Sequence, residues 1–140
     1  TKDLPWKAMT VKPRIGVLKD SLQEARKQYN AGNQSVYEGM AHGIYGKLRQ
    51  TWELAGEEIL LNNAVQRYRR DIQTKRLSKL HAISEEDCQV LEQGMSKCSK
   101  WLSGHDLARA DNDQIPNPDE LDGDINILEE WVRKIKKIHN

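Results

Sequence analysis

Arg49 and Glu53 stand four positions apart in a stretch of helical periodicity, so a guanidinium and a carboxylate share one helix face. Such a pair has the parts needed for RNA cleavage, where a cation steadies the phosphate and a nearby acid or base moves the proton. A histidine would complete the set. His105, next to Asp106 and directly after Gly104, is the candidate, since an imidazole beside a carboxylate on a loop can act as general acid or base. Each feature also has a plainer meaning. Arg49 with Glu53 is the composition of a helix-surface ion pair, and a histidine after a helix is comfortable beside the last unpaired carbonyls.

A second group is electrostatic. Arg67, Arg69, Arg70, Lys75, Arg76 and Lys79 place six cations within thirteen positions, a density able to displace counterions from phosphates. They point to several sides of a helix, and the acidic stretch from Glu85 to Glu130 offers them an internal partner. The whole chain carries a net charge of only +1, but unevenly: residues 82–130 hold thirteen carboxylates against three cations, and residues 131–140 hold four cations and no carboxylate. Glu38 and His42 also share a face, yet no second pair of metal-ligating spacing accompanies them, so no metal site is expected. There is no glycine-rich phosphate loop, no Gly-x-Ser-x-Gly elbow and no dinucleotide fingerprint. Any nucleotide hydrolysis would have to come from outside residues 1–140.

These residues must be positioned by helices, because no segment alternates at period two. Residues 1–12 read as an extended arm whose Trp6 packs on the body. From Pro13, the residues Ile15, Leu18, Leu22, Ala25 and Tyr29 recur at steps of three and four, and Asn30-Ala31-Gly32-Asn33 ends that helix. Ser35 with Glu38 has capping-box spacing, and a stripe from Tyr37 through Trp52 to Ile59 follows it. Asn62-Asn63 interrupts or bends the run before Val65, Tyr68, Ile72 and Leu80 carry it to His81. Ser84, followed by three carboxylates, opens the next helix, with Cys88, Leu91, Met95, Cys98 and Leu102 on its apolar face and Gly104 beyond its end. After an acidic loop over 105–116, Asn117, Pro118 and Glu120 announce a last helix with Leu121, Ile125, Leu128, Trp131 or Val132, Ile135 and Ile138 buried.

The expectation is a single all-α domain over 1–140, a bundle of about five helices round one long central helix from Ser35 to Asn62. Gly39, Gly43, Gly46 and Gly56 each cost ~1 kcal/mol in a helix interior, which close approach of a neighbouring helix would explain. No run reaches the ~20 apolar residues of a membrane helix and no signal peptide opens the chain, so a cytoplasmic location is expected. Cys88 and Cys98, ten residues apart on one helix, lie ~15 Å apart and cannot pair. Both are expected to be buried, as small apolar residues of a reducing compartment.

The run Ile44-Tyr45-Gly46-Lys47-Leu48-Arg49-Gln50-Thr51-Trp52-Glu53, with Val65-Gln66-Arg67-Tyr68-Arg69 and the later Trp101-Leu102-Ser103-Gly104-His105-Asp106, resembles the C-terminal region of large bacterial AAA-type ATPases. These have ABC- or SMC-like heads, belong to phage-defence or restriction-linked loci, and are related to the ATPases of anticodon nucleases. The resemblance implies an ATPase domain before Thr1, where ATP and Mg would act, no cofactor in residues 1–140, and a helical effector or regulatory tail here. The expected partners are nucleic acid, a partner subunit or that ATPase domain itself. Anticodon nucleases use an Arg, a Glu and a His; Arg49 with Glu53 matches their spacing, and His81 or His105 would be the third. Arg76 and His81 also resemble the Arg-x-x-x-x-His motif of small all-helical ribonucleases, in which the Arg holds the phosphate.

Overall fold

Thr10, in extended conformation, precedes the first helix, α1 (Val11–Asn30), so Pro13 falls in the first turn, where its missing N–H breaks no helical bond. The arm therefore ends two residues earlier than expected, and it contains a short 3-10 turn at Trp6–Ala8. In the computed structural model, residues 4–72, 84–102 and 114–139 are described, with the backbone alone over 59–72 and 138–139.

Gly32, at φ 84°, reverses the chain as the sequence predicts. The Gly32 N–H donates to the Tyr29 carbonyl (3.1 Å) and the Asn33 N–H to the Gln28 carbonyl (2.9 Å), the two bonds of a Schellman motif. The next helix, α2 (Gln34–Ile72), begins at once. Its first bond runs from the Tyr37 N–H to the Asn33 carbonyl, so Ser35 lies inside the helix and not at its cap. Glu38 accepts from the Gln34 side-chain amide at 3.1 Å, and the expected capping box is absent. Asn62-Asn63 does not break the path either: α2 runs unbroken for 39 residues. Asn lowers helix propensity by only about 0.7 kcal/mol, and neither Gly nor Pro stands there to add to it. The second and third expected helices are thus one. The described residues form four α-helices and not five, and they include no strand.

The remaining starts agree with their sequence signals. Before α3 (Glu85–Lys100), Ser84 Oγ accepts the Asp87 N–H while the Asp87 carboxylate accepts the Ser84 N–H, a complete capping box. Asn117 Oδ1 accepts the Glu120 N–H at 2.8 Å at the head of α4 (Pro118–His139).

Contacts at both ends of each helix pair fix the topology. Tyr29 meets Tyr37 edge to face at 5.1 Å, and Arg14 Nη1 reaches the Gln50 carbonyl at 3.5 Å, so α1 and α2 run antiparallel. Gly94 faces Trp52 and Leu91 faces Gly56, so α3 is antiparallel to α2. Lys97 bonds Glu120 near one end and Lys134 bonds Asp87 near the other, which reverses α4 against α3. Arg26–Asp119 and Lys19–Glu129 close the ring between α1 and α4. The result is an up-down-up-down four-helix bundle.

The predicted stripes of α1, α2 and α4 meet in its core, except for exposed Tyr29 at the end of α1, and Leu18, Leu48, Leu121 and Leu128 are inaccessible to solvent. Each such side chain contributes roughly 1.5–3 kcal/mol through burial. Trp131 and Val132 are both buried, which resolves that alternative in favour of a wide apolar face. α3 gives less: Cys98 is buried, Leu91 and Met95 are half-buried, and Cys88 is exposed, contrary to expectation. Trp6 does pack on the body, its Nε1–H donating to Gln50 at 2.7 Å and its ring lying under the Arg14 guanidinium at 4.6 Å.

Candidate functional site

Arg49 and Glu53, one turn apart on α2, form the pair their spacing allows, with Arg49 Nη1 at 2.9 Å from Glu53 Oε2. A second contact was not legible in the sequence: Arg49 Nε donates to Ser99 Oγ at 2.7 Å, and that hydroxyl donates to the Met95 carbonyl at 3.0 Å. The guanidinium is therefore tied to α3 as well as to its own helix. Two of its donor positions are committed to protein acceptors, which favours a structural tie over a phosphate clamp. His105, the proposed third partner, lies outside the described residues, as do Asp106 and His81.

Arg67, Arg69 and Arg70 fall on the last turns of α2, and Lys75, Arg76 and Lys79 lie outside the described residues. Topology adds cations that sequence order hides. α1 begins, and α4 ends, at the end of the bundle toward which α2 runs out. Exposed Lys12, Arg133, Lys136 and Lys137 therefore gather at the same end as the α2 arginines. The first turn of α3 also stands there, with Lys134 Nζ at 2.9 Å from Asp87 and 3.9 Å from Glu86. Burial alone would push the Asp87 carboxyl up, but the hydrogen bonds from Lys134 and from the Ser84 side chain and backbone outweigh it and hold it below the usual range.

Between α2, α3 and α4 lies a cavity of about 240 Å³ whose walls include Leu48, Trp52 and Gly94 and whose polar lining includes Tyr45, Gln93, Lys97 and Asp124. The Tyr45 hydroxyl donates to Asp124 Oδ2 at 2.5 Å, and Lys97 Nζ bridges Asp124 (3.0 Å) and Glu120 (2.6 Å). Burial, reinforced by the bond to Asp124, raises the Tyr45 pKa. Burial opposes the charge on Lys97, but its two carboxylate bonds prevail and raise its pKa. Burial also pushes the Cys98 thiol up to about 12, with the Asp124 charge adding to the effect and Arg49 and Lys97 opposing it. Tyr45, Lys97 and Asp124 are all bonded to one another or to Glu120, and the thiol is kept protonated and unreactive. The network ties α2, α3 and α4 to one another. Tyr45 and Asp124 are 79 residues apart, and nothing in their local sequence announces the contact.

His42 and Glu38 do not converge on a common point. His42 Nδ1 lies 2.6 Å from the Trp101 carbonyl, and since a carbonyl only accepts, this ring nitrogen carries the proton. Among the described residues, no group of three or more potential ligands could hold a metal ion. No helix among them is long and apolar enough to cross a membrane. In comparisons with protein-family models, with characterised proteins and with solved structures, nothing matches this chain.

Proposed function

We propose that this chain is a helical module of a bacterial defence-type ATPase and engages nucleic acid, or a partner subunit, through the cations from Arg67 to Lys79. The observation that carries the reading is the unbroken course of α2. With Gly94 opposite Trp52 and Leu91 opposite Gly56, antiparallel stepping brings the first residue of α3 level with about residue 62 of α2. The following ~10 residues, about 15 Å of helix, run past that level and carry Arg67, Arg69 and Arg70. Cations on such a helical extension suit phosphates or an acidic protein surface. Six cations within thirteen positions of sequence favour phosphates, because each contact releases condensed counterions. ATP and Mg belong, on this reading, to a domain preceding Thr1, and nothing in residues 1–140 is assigned to them.

The test is binding of a labelled oligonucleotide to the chain across a series of salt concentrations. Affinity that falls steeply with salt, and is lost in Arg69→Glu/Arg70→Glu/Arg76→Glu, supports the reading. Binding that is absent, or indifferent to both salt and these substitutions, removes it.

A further inference from the structure

On the α1/α4 face, a groove of about 400 Å³ is lined by Ile15, Gly16 and Val132 and by four cations, Lys12, Lys19, Arg133 and Lys136, against one carboxylate, Glu129. Lys19 is held by Glu129 at 2.8 Å and Arg133 by Glu130 at 2.7 Å, both weak half-exposed pairs, whereas Lys12 and Lys136 make no ion pair among the described residues. Two choices on α1 run against its own stability. Lys12 sits in the first turn, at the positive end of the helix dipole, where α1 has no carboxylate. Gly16 sits in the helix interior, yet a side chain there would meet nothing within 4 Å, so packing within the bundle does not require the glycine. Dipole compensation accounts for the α4 cations, but not for Lys12 or for the notch at Gly16.

We infer that this groove is a second phosphate-contact surface, which takes a single strand of the same nucleic acid that the α2 cations engage; it rests on the reading proposed above. Charge and shape select the occupant. Ile15 and Val132 are only 5% and 8% exposed, so the floor has little apolar area left to give a docking protein helix, and what it offers is charge. A surface groove of about 400 Å³ between two helices has room for one phosphodiester chain and not for a duplex. The missing side chain at Gly16 lets that chain approach the α1 backbone. Lys12 and Lys136 supply the primary contacts, and Lys19 and Arg133 leave their carboxylates to add to them.

The probe is a fluorescent 20-mer of oligodeoxythymidine, titrated by anisotropy against the chain between 0.05 and 1 M salt. A single-strand contact contributes ~0.7 to the slope of log K against log salt, which is about fivefold per contact over one decade. Lys12→Ala/Lys136→Ala is therefore expected to lower the slope by ~1.4 and the affinity at 0.1 M salt by about 25-fold. Glu129→Gln, which frees Lys19, is expected to tighten binding. Lys27→Ala/Lys100→Ala, equal in charge change but at the other end of the bundle, is the control. If the control matches the groove variant, only net charge is being read and the site is refuted. If Arg69→Ala/Arg70→Ala weakens binding while Lys12→Ala/Lys136→Ala does not, the groove fails and the α2 reading stands; if neither does, both fail. Displacement of the strand by a glutamate-rich peptide of equal charge at equal concentration would assign the groove to an acidic protein and overturn the nucleic-acid proposal.

Discussion

The Trp52 indole lies against the backbone of Gly94, so near that a β-carbon on Gly94 would come within 2.6 Å of Trp52 Cζ2 and Nε1. The same indole packs against Trp131 with ring centroids 5.4 Å apart, which makes Trp52 the point where α2, α3 and α4 meet. Gly94 makes the tightest of the glycine contacts; of the α2 glycines, an added β-carbon would meet Leu91 at 3.2 Å on Gly56 and Leu102 at 3.6 Å on Gly46, as expected of a close neighbour, whereas Gly39 and Gly43 have nothing within 4 Å.

Gly94→Ala is accordingly expected to destabilise the fold by about 1–3 kcal/mol, because a buried, rigid indole cannot yield to the added carbon. Gly43→Ala, at a position with nothing within 4 Å, is expected to stabilise by ~0.5–1 kcal/mol through helix propensity. Urea midpoints of the two variants measure this directly. Shifts in the same direction would refute the packing argument.

The Asp87 carboxylate, 2% exposed, closes the α3 cap and receives Lys134. Asp87→Asn should cost about 1–2 kcal/mol at neutral pH. Its folded pKa is depressed, so its contribution is present above the unfolded value and is lost as pH falls through the folded one. The gap between wild-type and variant urea midpoints should narrow in acid, below about pH 4. A gap that persists undiminished at low pH would show that the charge is not what stabilises this cap.

At the alkaline limb the sign reverses. Burial pushes both the Tyr37 hydroxyl, which donates to the Pro116 carbonyl, and the Cys98 thiol up to about 12. A raised acid favours the fold below its unfolded pKa and loses that contribution as pH climbs through its folded one. Stability should decline from about pH 9 toward pH 12, and less steeply in Tyr37→Phe/Cys98→Ala. Equal slopes for the two proteins would contradict the assignment.

Arg49→Ala should be more damaging than Glu53→Gln. The second breaks only a half-exposed pair within one helix, at about 0.5 kcal/mol or less. The first also removes the tie to Ser99 on α3, for a total of ~1–2 kcal/mol. If the two variants have equal unfolding midpoints while an RNA-cleaving activity disappears in both, the catalytic role for Arg49 and Glu53 gains over the structural one.

Features set within one turn of chain were legible from the residues alone. Ser84 with Asp87, Asn117 with the Glu120 N–H, and the turn at Gly32 all follow from local hydrogen-bonding chemistry. The buried stripes of α1 and α4 followed from the 3.6-residue period. Where two local signals compete, the adjoining chain decides between them. Ser35 has capping-box spacing with Glu38 and Asn62-Asn63 suggests a stop or a bend, but the turn at Gly32 sets the start of α2 and nothing rigid breaks the helix afterwards.

The candidate site was legible only as separate pieces. Spacing gave the Arg49–Glu53 pair and the cations on the last turns of α2. Ser99 beneath Arg49, Asp124 against Tyr45, Gly94 under Trp52, and Lys12 across a groove from Lys136 depend on how helices far apart in sequence are rotated and staggered. Sequence determined which faces are apolar and where helices begin, because these are short-range properties of the chain. Tertiary structure decided which polar groups meet, because the same apolar faces can pack at several registers and only the interlocking of side chains such as Trp52 and Gly94 selects one.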